Sequence, residues 1–333
     1  MITPIFARGF ELGIKELSSV SSSNAPTVVT TDAKTGVRSL NTRDGYGQID
    51  FAATPQFRLG WHWLQKPRAN SNGTRHLRLY GGSTLLLELR DQTGVGLSLQ
   101  ILGVERDYSA DLSDYIDWRN WGIDFKQDSV NGWAKVYRDG LLVLSFDGNT
   151  GSTPTSTLQL GAHSSLYGAE AGMLWDDIYL DATPGEAAPA CPPDKRFLWA
   201  PATSDVAANW TPSTGASHFA VVDEVPASGT DYLSALSAGL VDTFGVTVPT
   251  LPTGFVPGAV WPVATAFKSD GATATQLTLR TTDGVATIDG TSLDLPTTAG
   301  VITERFGTQP DGSAWTNAAV AATKYGIVSS GTF

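Results

Sequence analysis

Residues 118–125 read WRNWGIDF and residues 133–148 read WAKVYRDGLLVLSFDG. Ile123 and Phe125 alternate with Asp124 and Lys126, and Trp133, Lys135 and Tyr137 alternate with Ala134, Val136 and Arg138. Arg138-Asp139-Gly140 then turns the chain, and Leu141, Val143 and Ser145 run against Leu142, Leu144 and Phe146. Side chains alternate faces along a strand, and a tight hairpin needs residues that tolerate positive φ. Period-two apolarity on either side of an Asp-Gly pair therefore predicts three consecutive antiparallel strands. They stand in a chain with no long helical pattern, which predicts an all-β architecture.

The 333 residues are enough for two domains that each bury a core. Glycine (35) and proline (18) are abundant and methionine (2) is scarce, a balance that favours β-sandwiches joined by turns. The net charge is -11 and no basic run exceeds two residues, so no nucleic-acid partner is expected. No apolar run approaches the ~20 residues that span a bilayer, so no membrane insertion is expected. The opening MITPIFARGF lacks a charged region followed by an apolar core, so no secretory signal is expected and synthesis in a reducing cytosol is. Cys191 is the single cysteine, and no Cys/His cluster has zinc spacing; neither a disulfide nor a metal nor another cofactor is expected.

Residues 181–194, DATPGEAAPACPPD, hold four prolines among small residues. They predict a Pro-rich linker over 183–195, between a first domain at 1–182 and a second, smaller one at 196–333. Up to residue 194 the chain has 16 Lys/Arg and 22 Asp/Glu; beyond it only 6 and 11, so the second domain is charge-poor. Eleven short strands are predicted in the first domain, from 37–40 to 172–180. Turn pairs such as Asn131-Gly132 and Asp147-Gly148 punctuate them, and the spacing predicts two stacked antiparallel sheets. Gly9-Phe10-Glu11 is expected to pair with WDDIYLD at 175–181, bringing the ends of the domain together, while 17–24 reads as a loop. In the second domain strands are predicted at 218–222, 240–248, 261–268, 275–281, 284–288 and 325–329. A helical turn is predicted over 232–239 and a helix at 318–323 capped by Thr316.

The WAKVYRDG hairpin and the closing DDIYLD strand resemble those of concanavalin A-like and laminin-G-like domains, over roughly residues 5–182. The resemblance implies an antiparallel β-sandwich of the jelly-roll type, more often a binding or structural module than an enzyme. The second domain is similar to one in minor structural proteins of tailed bacteriophages. The segments that carry this are WTPSTG at 210–215, VDEVP at 222–226, DTFGV at 242–246, DGSAW at 311–315 and YGIV at 325–328. Together they imply a structural component of a bacteriophage virion (tail, baseplate or fibre, or head decoration), made in the bacterial host cytoplasm. Its implied partners are other virion proteins, with symmetric copies within the particle.

The alternative is a carbohydrate-binding module that attaches to host surface glycans. Tyr108, Tyr115, Trp118 and Trp121, interspersed with Asp107, Asp111, Asp114 and Asp117, form an acidic-aromatic segment suited to it. Aromatic faces stack on sugar rings and carboxylates meet hydroxyls. The candidate ligand residues are thus Tyr108, Asp111, Tyr115, Trp118 and Trp121. The competing reading keeps one of the two tryptophans in the core, where most tryptophans of a sandwich go. Asp107, Asp111 and Asp114, or Asp176 with Asp177, offer oxygens for calcium, but no loop carries the full ligand pattern. Asp176 and Asp177 alternate on a strand, so only one is expected to face the core.

No catalytic residues are expected. A glycosidase needs two carboxylates flanking the scissile bond, and the nearest pair, Glu88 and Asp91, has the wrong spacing. His62, His76, His163 and His218 are scattered, with no Gly-x-Ser-x-Gly elbow among them. Arg58, Arg68, Arg75, Arg78 and Arg90 make one region locally basic, either as a docking surface or as solvated strand faces.

Overall fold

The computed structural model describes residues 3–8, 17–20, 26–30, 33–34, 38–42, 45–65, 75–92, 96–109, 117–161, 173–183, 188–215, 217–224, 227–271 and 274–333. Gly9-Phe10-Glu11, Arg68, Asp111, Asp114, Tyr115 and His163 lie outside these residues. The chain divides into two compact units, Met1–Leu198 and Trp199–Phe333.

The strands of the first unit are β1 (Thr3–Arg8), β2 (Ser19–Val20), β3 (Thr27–Val29), β4 (Ser39–Asn41), β5 (Gly47–Thr54), β6 (Gln56–Gln65), β7 (Arg75–Gly81) and β8 (Thr84–Gln92). They continue with β9 (Gly96–Ile101), β10 (Val104–Ser109), β11 (Arg119–Lys126), β12 (Gly132–Arg138), β13 (Leu141–Gly148), β14 (Thr155–Leu160) and β15 (Met173–Ala182). One sheet has the order β13-β12-β11-β6-β15-β4-β3, with β1 also on β15; the other runs β10-β9-β8-β7-β14-β5-β2. Every pairing is antiparallel. Inward residues of both sheets join one apolar core, so the unit is an antiparallel β-sandwich.

The decisive hairpin takes the predicted form. Arg138 pairs with Leu141, leaving Asp139 (φ 49°) and Gly140 (φ 84°) as a two-residue turn with positive φ at both positions. Alternation places Phe57, Leu59, Trp61 and Trp63 of β6 inward, and Arg58, Gly60 and His62 outward. Four tryptophans meet in the core. Trp61 stacks on Trp121 with centroids 6.4 Å apart, Trp63 stacks on Trp175 at 5.7 Å, and Trp63 tilts against Trp121 at 5.4 Å. Trp175 donates its indole N–H to Thr42 Oγ1 at 2.8 Å, which satisfies the polar edge that burial would otherwise strand.

Thr3–Arg8 pairs with β15, with Arg8 opposite Ile178; the segment expected to pair there, Gly9-Phe10-Glu11, lies outside the described residues. Two features differ from expectation. Ser19–Val20, within the run read as a loop, is a short strand against β5. Asp176 and Asp177 are both fully buried, because a bulge breaks the alternation: the register with β6 shifts between Asp176 and Tyr179, and Asp177 sits at φ 50°.

The second unit contains β16 (Ala202–Ala208), β17 (Thr211–Pro212), β18 (Leu233–Ser234), β19 (Val241–Val246), β20 (Val263–Ala266), β21 (Thr275–Thr282), β22 (Thr287–Asp289), β23 (Leu293–Asp294), β24 (Gly300–Thr303) and β25 (Lys324–Gly331). Its main sheet runs β16-β19-β25-β21-β22 with β23 also on β21; β17–β18 and β20–β24 form two small ladders. The single α-helix described, α1 (Asn317–Ala322), is capped as expected, with Thr316 Oγ1 accepting from the Ala319 N–H at 3.1 Å. It packs Val320 onto Phe306, Trp315 and Tyr325. Residues 218–222 do not form the expected strand. Asp205 accepts from the His218 and Phe219 N–H groups at 2.9 and 2.6 Å, and His218 Nδ1 lies 2.6 Å from buried Asp242, so the chain winds into a 3₁₀ turn at Phe219–Val221. The helical turn expected over 232–239 is replaced by β18, paired to β17.

Candidate functional site

Outward residues of the first sheet build the site. Arg58, Gly60 and His62 of β6, Gly122 and Asp124 of β11, Tyr137 of β12 and Asp177, Tyr179 and Asp181 of β15 share this face, and residues 188–198 are laid across it. The segment predicted as a spacer is therefore, from 188 onward, a strap on the sandwich, and the boundary between units falls at 198/199.

Polar groups fasten the strap. Asp124 is wholly buried: its Oδ2 accepts from Arg58 at 3.0 Å and from the Ala190 N–H at 3.0 Å, and its Oδ1 accepts from the Trp133 indole at 2.7 Å. Asp177 Oδ1 accepts from the Phe197 N–H at 2.8 Å, and its Oδ2 lies 3.2 Å from His62 and 3.6 Å from Arg196. Lys195 pairs with buried Asp181 and also lies over the Tyr179 ring, while the Tyr179 hydroxyl donates to the Pro193 carbonyl. Burial raises the Tyr179 phenol well above its ordinary range, so it stays a donor at any pH the fold meets. Close approach depends on Gly122, since a Cβ there would stand 2.7 Å from the Pro192 ring. Gly122→Val is expected to lift the strap, measured as faster proteolysis between residues 188 and 198 with the sandwich core intact.

Between strap and sheet lies a cleft of about 420 Å³. Its floor and rim on the sheet side are His62, Asn120, Gly122, Tyr137 and the Asp139-Gly140 turn; the strap contributes Cys191, Pro192, Asp194 and Arg196; Trp118 and Lys34 complete it. Trp118 is half-buried. Both lining carboxylates are engaged. Asp139 lies 3.5 Å from Arg119 and accepts from the Asn120 N–H at 3.1 Å, and Asp194 pairs with Arg196 at 2.9 Å. Burial raises the Cys191 thiol above its ordinary value, so at neutral pH it is a poor nucleophile.

The predicted ligand residues separate. Trp118 lines the cleft, whereas Trp121 is only 4% exposed and belongs to the tryptophan core, where no ligand reaches it. Tyr108 is exposed but stands on the edge strand β10, outside the cleft lining. Asp107 is not poised for calcium: its two oxygens accept from the Tyr108 and Ser145 N–H groups at 2.8 and 2.7 Å, tying β10 to β13. Nor do the arginines form one patch. Arg75 and Arg78 meet Glu88 on the second sheet, Arg90 meets the Gln100 carbonyl, and Arg58 lies on the first sheet beside the strap. The strap residues Cys191, Asp194 and Arg196 went unpredicted as site residues; proline content announces an extended chain but not what it lies on.

Trp118→Ala and Trp121→Ala should therefore part company. The first is expected to leave the melting temperature within a degree or two. The second empties a core site and is expected to cost about 3–5 kcal/mol, read in chemical denaturation.

No family model matches the sequence, and no curated protein matches it. Among solved structures, the chain is similar to a cellulose-induced protein (13% identity, TM-score 0.41, covering 54% of this chain and 97% of that one). It is also similar to a galectin of Caenorhabditis elegans (13%, 0.30, 40% and 88%). A third is a conserved carbohydrate esterase of the Shiga toxin-encoding bacteriophage phi24B (12%, 0.38, 55% and 100%). At TM-scores below 0.5 these likenesses assign no activity; the class of the first unit, an antiparallel β-sandwich, rests on its two sheets and their registers.

Proposed function

We propose that the first unit is a glycan-binding module that acts without catalysis. The observation that carries this is the strap-walled cleft: a half-buried Trp118 that shares the lining with Tyr137, Asn120, Asp139, Asp194, Arg196 and Lys34. A sugar ring presents an apolar face suited to an aromatic and hydroxyls suited to planar amide, carboxylate and guanidinium groups. An apolar surface with a few convergent polar groups is the usual make-up of a small-ligand site. The lining carboxylates are already committed to arginines and a backbone N–H, which suits them to accept hydroxyl hydrogens and not to exchange protons with a scissile bond. The test is an array of bacterial surface polysaccharides probed with the intact protein and with Trp118→Ala. Retention of at least one polymer by the intact protein, lost in the variant at unchanged melting temperature, is the expected result. Failure to retain any would remove the reading.

A second reading concerns the whole chain: a structural protein of a bacteriophage virion, assembled in symmetric copies through protein–protein interfaces. It is favoured by the second unit, which leaves Leu236 (85%), Val256 (82%) and Val285 (98%) exposed, with only 4 Lys/Arg in its length (Lys268, Arg280, Arg305 and Lys324). Interface cores are depleted in charge and rich in apolar surface. On this reading the charge-poor unit docks to the particle and the sandwich presents its cleft outward. Replacing Leu236, Val256 and Val285 together by serine is expected to abolish incorporation into purified particles while the soluble protein still folds; incorporation at the unaltered level would count against it.

A further inference from the structure

We infer that the cleft takes an acidic saccharide, one bearing ring carboxylates, with Lys34 as the counter-charge. This rests on the glycan-binding reading and narrows it. The charged side chains lining the cleft are Lys34, Asp139, Asp194 and Arg196, with the His62 imidazole among them. All but one have a partner among the described residues. Arg196 lies 2.9 Å from Asp194 and 3.6 Å from Asp177; His62 lies 3.2 Å from Asp177 and 3.3 Å from Asp194. Asp139 is held by Arg119 and Arg138.

Lys34 differs. Its backbone N–H is fixed by buried Asp176 at 2.8 Å, which anchors the main chain at the cleft wall. Its ammonium makes no ion pair or hydrogen bond among the described residues, although the side chain is half-buried in the lining. A cation that lines the same cleft as a partly exposed tryptophan, and is unpaired among the described residues, suits an external anion. The net charge of -11 does not forbid this. At physiological ionic strength exposed charges beyond roughly 8 Å are largely screened, and within the cleft two cations, Lys34 and Arg196, balance two carboxylates, Asp139 and Asp194, so the ammonium that is not internally paired decides. A carboxylated sugar stacked on Trp118 would set its carboxylate against Lys34 and gain a charge-assisted hydrogen bond. A neutral sugar gains nothing from the charge.

The experiment compares matched polymers: polygalacturonate, alginate and hyaluronate, each beside its carboxyl-reduced neutral form, and neutral dextran and β-glucan. Binding to the intact protein, Lys34→Gln, Lys34→Arg and Trp118→Ala is measured by affinity electrophoresis. The expected result is retention by at least one acidic polymer, lost on carboxyl reduction. Lys34→Gln should weaken it about tenfold, the size of one charge-assisted hydrogen bond, while Lys34→Arg keeps most of it and added salt mimics Lys34→Gln. Equal binding of an acidic polymer and its reduced form, or Trp118-dependent binding of neutral polymers alone, overturns the acidic assignment and leaves the glycan reading standing. No binding to any polymer, acidic or neutral, overturns both.

Discussion

Ending the chain at residue 187 instead of 198 is expected to lower the melting temperature of the first unit by about 10–20 °C, or to leave it unfolded. The strap supplies Arg196 and the Phe197 N–H to Asp177, Lys195 to Asp181, the Ala190 N–H to Asp124 and a carbonyl to Tyr179. A carboxylate stripped of its partner in a dry interior costs about 3–5 kcal/mol. Here water would enter with the strap gone and rehydrate the face, so the loss per carboxylate falls to the ~1.5–3 kcal/mol of a charge-assisted hydrogen bond. Three carboxylates then lose on the order of 5 kcal/mol, a large part of a domain's usual 5–15 kcal/mol. In a domain of this size each kcal/mol moves the midpoint by about 2–4 °C. Differential scanning calorimetry of fragments 1–187 and 1–198 reads the difference. Coincident midpoints would mean the strap merely rests on the sheet.

Asp124→Ala is expected to destabilise the first unit by a similar amount through a different route. Asp124 stays under the strap, so water does not replace it. The substitution leaves the Arg58 guanidinium, the Trp133 indole N–H and the Ala190 N–H without their shared acceptor. An uncompensated charge in that position costs about 3–5 kcal/mol, measured as a shift in the urea midpoint at unchanged slope. Adding Arg58→Met to Asp124→Ala should restore part of the loss by removing the stranded charge, but not all of it, because the two N–H donors remain unpaired. A loss no larger than that of an exposed ion pair, about 0–1 kcal/mol, would contradict the burial of this cluster.

The parts of the fold visible in the sequence were those written in local periodicity. The Asp139-Gly140 hairpin, the alternation along β6 and β11 and the Thr316 cap all depend on neighbours a few residues away. The same alternation separates the two tryptophans of the candidate site: Trp121 keeps phase with buried Ile123 and Phe125, whereas Trp118 precedes the strand. Long-range polar contacts were not visible. The strap meets residues 66 and 134 positions earlier in Asp124 and His62, and nothing local to PACPPDKR marks those partners. The bulge at Asp177 and the 3₁₀ turn after His218 were hidden for a related reason. Both are held by side chains of distant strands, which overrode a pattern that locally read as plain strand.

The most direct test of the central claim, that the strap-walled cleft is the glycan site, uses the chain's single cysteine, which lines it. The rate at which a thiol reagent modifies Cys191 is measured in the intact protein with each polysaccharide of the panel. Polymers the protein retains are expected to slow this reaction, and Trp118→Ala to abolish the protection. Modification of Cys191 at one rate with and without a bound polymer would place the glycan elsewhere and contradict it.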